Sequence, residues 1–111
     1  MPESEEEELL DELVRTWVEV YKKSSTTLVL LRYIASDGPV DTSEIADAFA
    51  QRTGWELAER GLYRTLRRLS TIGLVSVHER PGHRTGAKRN VYEISARGAA
   101  YVQRIEAVLI P

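Results

Sequence analysis

The segment from Ala58 to Ile72 is the part of the chain that most limits the fold. Leu62, Leu66 and Leu69 recur at steps of three and four residues, so they lie on one face of a helix. The other face carries Arg60, Arg64, Arg67, Arg68 and Thr71. Gly73 follows as a helix stop. The spacing predicts a helix that packs its leucines on a core and turns its arginines towards an anion.

After Gly73 the apolar period changes from about 3.6 residues to about 2, which is typical of strands. Leu74–His78 is predicted as one strand and Arg89–Ile94 as its return. The intervening Pro81–Gly86 segment has the composition of a flexible turn. Together they predict a β-hairpin with a basic tip.

Three helices are predicted before the arginine-bearing one, and one after the hairpin. Residues 4–22 form an amphipathic pattern, and the Ser/Thr run at 24–27 is expected to interrupt it before a second helix over 28–36. Asp41 and Glu44 have the spacing of a capping box for the third helix. Ser95 is a candidate N-cap for the last helix, over 96–109.

This order predicts a mainly α fold with a small β-hairpin, a winged helix-turn-helix with added N-terminal and C-terminal helices. Residues 1–23 are expected to form an acidic helix, residues 24–95 the DNA-binding domain and residues 96–111 a C-terminal helix. The two flanking helices are expected to mediate dimerisation. The residues expected there are Leu10, Leu13, Trp17, Val20, Val102, Ile105 and Leu109. The alternative is that both helices fold back on their own domain.

Charge is strongly segregated along the chain, although the net charge is only −2. The first twelve residues hold seven acids and no base, whereas residues 60–97 hold nine bases against two acids. Such a local excess of positive charge is what binding to nucleic-acid phosphates requires. The predicted DNA-binding residues are Thr42, Ser43, Arg60, Tyr63, Arg64, Arg67, Arg68, Thr71, Arg84, Lys88 and Arg89.

Other classes of protein find little support. The chain has no cysteine, and His78 and His83 with Glu79 are too few ligands for a metal, so neither a metal nor another cofactor is expected. No nucleophile elbow or phosphate-binding glycine loop is present, so no enzyme is expected. Neither a signal peptide nor a membrane-length apolar stretch occurs, which favours a cytoplasmic protein. Trp17 and Trp55 are candidate lining residues of a pocket for a small-molecule effector, and this alternative stays open.

The sequence resembles the PadR-type regulators over about residues 28–98, with the MarR winged-helix family as a neighbour. The resemblance is carried by the run Leu62–Leu69, by Gly73-Leu74-Val75, and by Arg89, Tyr92, Ile94-Ser95 and Gly98. It implies a dimeric transcriptional repressor, sometimes responsive to a small molecule. It places Tyr63 and Arg64 on the recognition helix and Arg89 on the wing. Residues 58–61 depart from the family pattern: the usual capping serine is lost and the phosphate-contacting threonine becomes Gly61.

The expected function is sequence-specific regulation of transcription by a homodimer on double-stranded DNA. The recognition helix would enter the major groove and the wing would contact the adjacent backbone or minor groove. The alternative is a winged-helix module that binds protein in a transcription complex or another assembly. Such a module would be expected to have an uncharged recognition-helix face and a short or neutral wing.

Overall fold

The computed structural model describes residues 4–82 and 86–109. The elements follow one another as α1 (Glu5–Asp37), β1 (Val40–Asp41), α2 (Thr42–Thr53), α3 (Glu59–Thr71), β2 (Val75–Pro81), β3 (Lys88–Ile94) and α4 (Ala96–Val108). Helices dominate and the strands form one small sheet, which confirms the predicted winged helix-turn-helix with flanking helices.

Helix α1 is continuous, so the predicted break at residues 24–27 is wrong. The hydroxyl of Thr26 donates a hydrogen bond to the carbonyl of Lys22 at 2.7 Å, which satisfies this polar side chain within the helix. Neither glycine nor proline interrupts the segment. The expected boundary between residues 23 and 24 therefore lies inside a helix of 33 residues, about 50 Å long at 1.5 Å per residue.

The sheet has three antiparallel strands in the order β1-β3-β2, so β3 lies at its centre. The predicted hairpin is present as β2 and β3, with Val77 opposite Tyr92. Sequence reasoning missed β1, whose Val40 and Asp41 pair with Tyr92 and Val91. This pairing holds the start of α2 against the hairpin. The predicted capping box is present there, since Asp41 accepts from the Glu44 amide and donates its own amide to the Glu44 carboxylate.

One apolar core joins the helices to the sheet. Its buried members come from the C-terminal half of α1, from α2 and α3, and from the sheet and the turn before it. They are Leu30, Leu31, Ile34, Val40, Ile45, Phe49, Leu62, Leu66, Leu69, Leu74, Val75 and Tyr92. The N-terminal half of α1 extends beyond this core.

Helix α4 begins after Ser95, as predicted, and packs closely on the turn after α3. The Ser95 hydroxyl accepts from the Gly98 amide at 2.9 Å and donates to the Gly73 carbonyl at 2.6 Å. At its other end α4 contacts α1, where Arg32 and Glu106 form an ion pair of 2.7 Å.

Candidate nucleic-acid interface

Helix α3 is two-sided, as predicted. Leu62, Leu66 and Leu69 are each at most 3% exposed. Arg60, Arg64, Arg67, Arg68 and Thr71 are exposed on the other side. Within residues 4–82 and 86–109, no carboxylate forms an ion pair with any of these arginines, although Arg68 donates a hydrogen bond to the Thr27 hydroxyl at 3.1 Å. The positive charge of this face is therefore free to meet an external anion.

A groove of about 250 Å³ separates α3 from the sheet. Tyr63, Arg67 and Thr71 line it from the helix, and Asn90 and Tyr92 from β3. Burial raises the pKa of Tyr92, and the nearby Tyr63 acts in the same direction. Tyr92 is therefore a neutral phenol at pH 7, and the groove also includes the apolar side chains of Leu66 and Val77.

A second groove, of about 350 Å³, lies between α2 and α3. Thr42 and Ser43 line it together with Tyr63 and Glu59. The fold thus brings the predicted residues of α2 beside those of α3. The N-cap position of α3 is Ala58, and among the described residues no side chain caps this helix, as the departure from the family pattern led us to expect.

The predicted wing residues differ in their surroundings. Lys88 is exposed, with Glu79 at 3.7 Å. Arg89 is only 34% exposed and lies 2.6 Å from the Asp41 carboxylate and 3.5 Å from that of Glu44. No sequence pattern predicts this contact, because the partners are 48 residues apart. Arg84 lies outside the described residues, as does His83.

The residues predicted to form a dimer divide into two groups. Leu10, Leu13, Trp17 and Val20 of α1 are all more than half exposed. Leu9, Val14 and Tyr21 belong to the same apolar stripe and widen this surface. Leu109, directly after α4, is about half exposed, whereas Val102 and Ile105 of α4 are partly buried and Val102 packs on the core of its own domain.

The two tryptophans belong to a chain of aromatic rings. Trp17 stacks on Tyr21 with ring centroids 5.3 Å apart, and Tyr21 meets the edge of Trp55 at 6.1 Å. Trp55 in turn contacts the core through Phe49. The rings therefore link the N-terminal half of α1 to the domain.

The described residues offer neither a metal site nor a membrane-spanning helix. Among the described residues no three acidic or histidine side chains cluster as metal ligands; His78 has Glu93 at 3.9 Å. The helices formed by residues 4–82 and 86–109 include none with a stretch long and apolar enough to cross a membrane.

The fold and this surface define a winged helix-turn-helix domain with a cationic recognition helix. The sequence profile described as "Transcriptional regulator PadR-like family" matches residues 30–104. The chain therefore belongs to the PadR-like family of DNA-binding transcriptional regulators, and it is a regulator rather than an enzyme.

Solved structures agree with this fold. The chain is similar to a PadR family transcriptional regulator from Eggerthella lenta, with 20% identity, a TM-score of 0.75, and coverage of 89% of this chain and 84% of that one. Bacillus subtilis PadR, solved in complex with operator DNA, is 16% identical with a TM-score of 0.68, over 78% of this chain and 50% of that one. A structure of MarR is 20% identical, with a TM-score of 0.56 and coverage of 95% of this chain and 75% of that one. No curated protein sequence matches the chain.

Proposed function

We propose that this protein is a sequence-specific regulator that binds double-stranded DNA as a homodimer and represses transcription. The observation that carries the proposal is the exposed arginine face of α3 beside the wing. The operator DNA bound to Bacillus subtilis PadR supports the same ligand for this chain. The repressor role follows from the family resemblance, because a dimer seated on an operator blocks access to the DNA beneath it.

The geometry of α3 suits the major groove, which is wide enough to admit one α-helix. Arg60, Arg64 and Arg67 follow one another at helical steps on the exposed face, with Tyr63 among them. Arginine binds guanine edges and phosphates through two parallel hydrogen bonds, so this face can both read bases and hold the backbone. Arg60 would supply the phosphate contact that the family threonine provides where this chain has Gly61.

The wing lies next to α3 and would meet the adjacent backbone or minor groove. Among the described wing residues that were predicted to bind DNA, Lys88 has an exposed positive charge. The groove lined by Arg67, Asn90 and Tyr92 leads from the helix to the wing, which favours one continuous track for the phosphates.

The dimer proposal rests on the N-terminal half of α1, which extends beyond the core. Its apolar face holds seven large side chains that are about half exposed or more: Leu9, Leu10, Leu13, Val14, Trp17, Val20 and Tyr21. Contiguous exposed apolar surface of this kind marks an interaction site. A two-fold axis through this region would bury the face and place two α3 helices on successive major grooves, about 34 Å apart.

A charge substitution on that face tests the dimer. Leu13→Glu should shift the protein from dimer to monomer in sedimentation velocity, because the carboxylate would be desolvated at the interface. Arg15→Glu is the control, since it lies about 200° around the helix from Leu13 at 100° per residue. A wild-type monomer at micromolar concentration, or equal dissociation of both variants, would contradict the proposed interface.

Selection of bound duplexes from a pool of random-sequence DNA tests the function itself. The expected result is an enriched sequence with two inverted half-sites centred about one helical turn apart, because the protein symmetry is copied in the DNA. Recovery of unenriched sequences would contradict sequence-specific binding. Failure to retain any duplex at low salt would contradict DNA binding and favour the protein-interaction alternative.

A further inference from the structure

Arg89 occupies an unusual place in the wing. The other side chains of its part of the hairpin are exposed, from His78 to Pro81 on β2 and at Lys88 and Asn90 on β3. Burial in the core begins again only at Val91. Among the described residues of the outer hairpin, Arg89 is therefore the side chain that is tied to the body of the domain.

The ion pair that holds Arg89 is short, and its acceptor residue is buried. Nη1 of Arg89 lies 2.6 Å from Oδ2 of Asp41, and Asp41 is only 7% exposed. Glu44 adds a second carboxylate at 3.5 Å, but it is half exposed. Hydrogen bonds between two charged groups are among the strongest in proteins, and burial of the acceptor protects this one from water and salt.

Asp41 is itself held from three directions. Its Oδ1 accepts from the Glu44 amide at 2.8 Å, and its own amide donates to Glu44 Oε1 at 3.1 Å. Its backbone belongs to β1 and pairs with Val91 of β3. The carboxylate that receives Arg89 is therefore the N-cap of α2, the helix whose Thr42 and Ser43 line the groove next to α3.

Release of Arg89 towards DNA would be unfavourable. The buried Asp41 carboxylate would lose its counter-charge, and an unpaired buried charge is strongly destabilising. Lys88 and Arg80 are close by and exposed, with Arg80 directly opposite Arg89 in the hairpin register, so phosphate contacts are available without breaking the bond.

We propose that Arg89 is a positioning residue for DNA binding, which ties the wing to the N-terminal end of α2 through Asp41 and does not itself contact the DNA. The inference rests on the proposed function. It assigns Arg89 a role different from the direct contact expected from its place on the wing.

The variant Asp41→Asn separates the two roles. Asparagine caps helices as well as aspartate does, so the α2 cap is kept while the charge that holds Arg89 is removed. If Arg89 contacts DNA, this change frees it and removes a negative charge near the DNA, so affinity should rise. If Arg89 positions the wing, affinity should fall at least threefold, because the wing is no longer held.

The measurement is fluorescence anisotropy with a labelled duplex recovered in the selection above, at several salt concentrations. Arg89→Gln should also weaken binding at least threefold, yet leave the slope of log Kd against log salt within about 0.3 of wild type. The control Arg64→Gln should lower that slope by about 0.9, as loss of one phosphate contact does. Glu44→Gln, which removes the exposed carboxylate alone, should bind within twofold of wild type.

The double variant D41N/R89Q should bind no more weakly than the weaker single variant, because both changes remove the same bond. Circular dichroism at the assay temperature must show each variant folded. Tighter binding by Asp41→Asn, a slope loss of about 0.9 in Arg89→Gln, or wild-type affinity in folded Arg89→Gln would each overturn the positioning role. Wild-type protein that binds no duplex would instead overturn the proposed function, and the positioning role with it.

Discussion

Substitution of Gly98 by alanine tests how α4 is docked on the domain. The first turn of α4 lies directly on the turn that follows α3. A Cβ atom at Gly98 would overlap the carbonyl oxygen of Leu74 and lie 2.7 Å from Cδ1 of Ile94. The Leu74 oxygen belongs to the backbone and cannot rotate away as a side chain can, so α4 itself has to move outwards.

The expected cost follows from what that movement breaks. Overpacking a tight contact costs about 1–3 kcal/mol. The bonds from the Ser95 amide to Leu74 (3.1 Å) and from the Ser95 hydroxyl to Gly73 (2.6 Å) span the same contact, and each contributes about 0.5–1.5 kcal/mol. Alanine gains up to about 1 kcal/mol over glycine in a helix. Together these contributions should lower the free energy of unfolding by about 1–6 kcal/mol in Gly98→Ala.

Gly61 provides a matched control in α3. There a Cβ atom would have its nearest contact at 3.5 Å, to Cδ1 of Leu57, which is ordinary van der Waals distance. Gly61→Ala should therefore leave stability unchanged or raise it by up to about 1 kcal/mol. Urea unfolding followed by circular dichroism, with all proteins at one concentration, measures both changes. Equal stability of the two variants would refute the close docking of α4.

Two further changes test the core and the α2 cap. Leu66→Ala should lower the free energy of unfolding by about 2–5 kcal/mol in the same urea assay, because Leu66 is fully buried beneath the arginine face; a loss below about 1 kcal/mol would contradict the packing of α3. Burial acts to raise the pKa of Asp41, but hydrogen bonds from the Glu44 amide and from Arg89 outweigh it, so the pKa lies below its ordinary value. The unfolded chain then binds the proton first, so the Asp41 contribution is present above about pH 4 and is lost as pH falls through the lowered pKa. Asp41→Asn should therefore lose less stability than wild type between pH 5 and pH 2; identical losses would contradict this assignment.

The sequence predicted those parts of the fold that depend on local pattern. The faces of α3, the Asp41–Glu44 capping box and the Ser95 cap are set by residues three or four apart, so their spacing was sufficient. The continuity of α1 was not predictable in this way. A run of serine and threonine fits a cap as well as a helix interior, and packing of Leu30, Leu31 and Ile34 on the core favours the helix.

Features that depend on distant partners were missed for a physical reason. Strand β1 has two residues and exists only because it pairs with Val91 and Tyr92. The ion pair of Arg89 depends on the same pairing, since it brings residue 41 beside β3. Periodicity reports which face of an element is apolar, but it does not report which elements meet.

The salt dependence of DNA binding by wild type, Arg64→Ala and Arg104→Ala tests whether α3 carries the DNA-binding face. Arg104 is an exposed arginine on α4, the helix that packs against α1, so it controls for loss of one positive charge. We expect steep salt dependence for wild type and Arg104→Ala. For Arg64→Ala we expect binding weaker by about 1–3 kcal/mol and a slope smaller by about 0.9. Equal affinities and slopes for the two variants would contradict a DNA-binding face on α3.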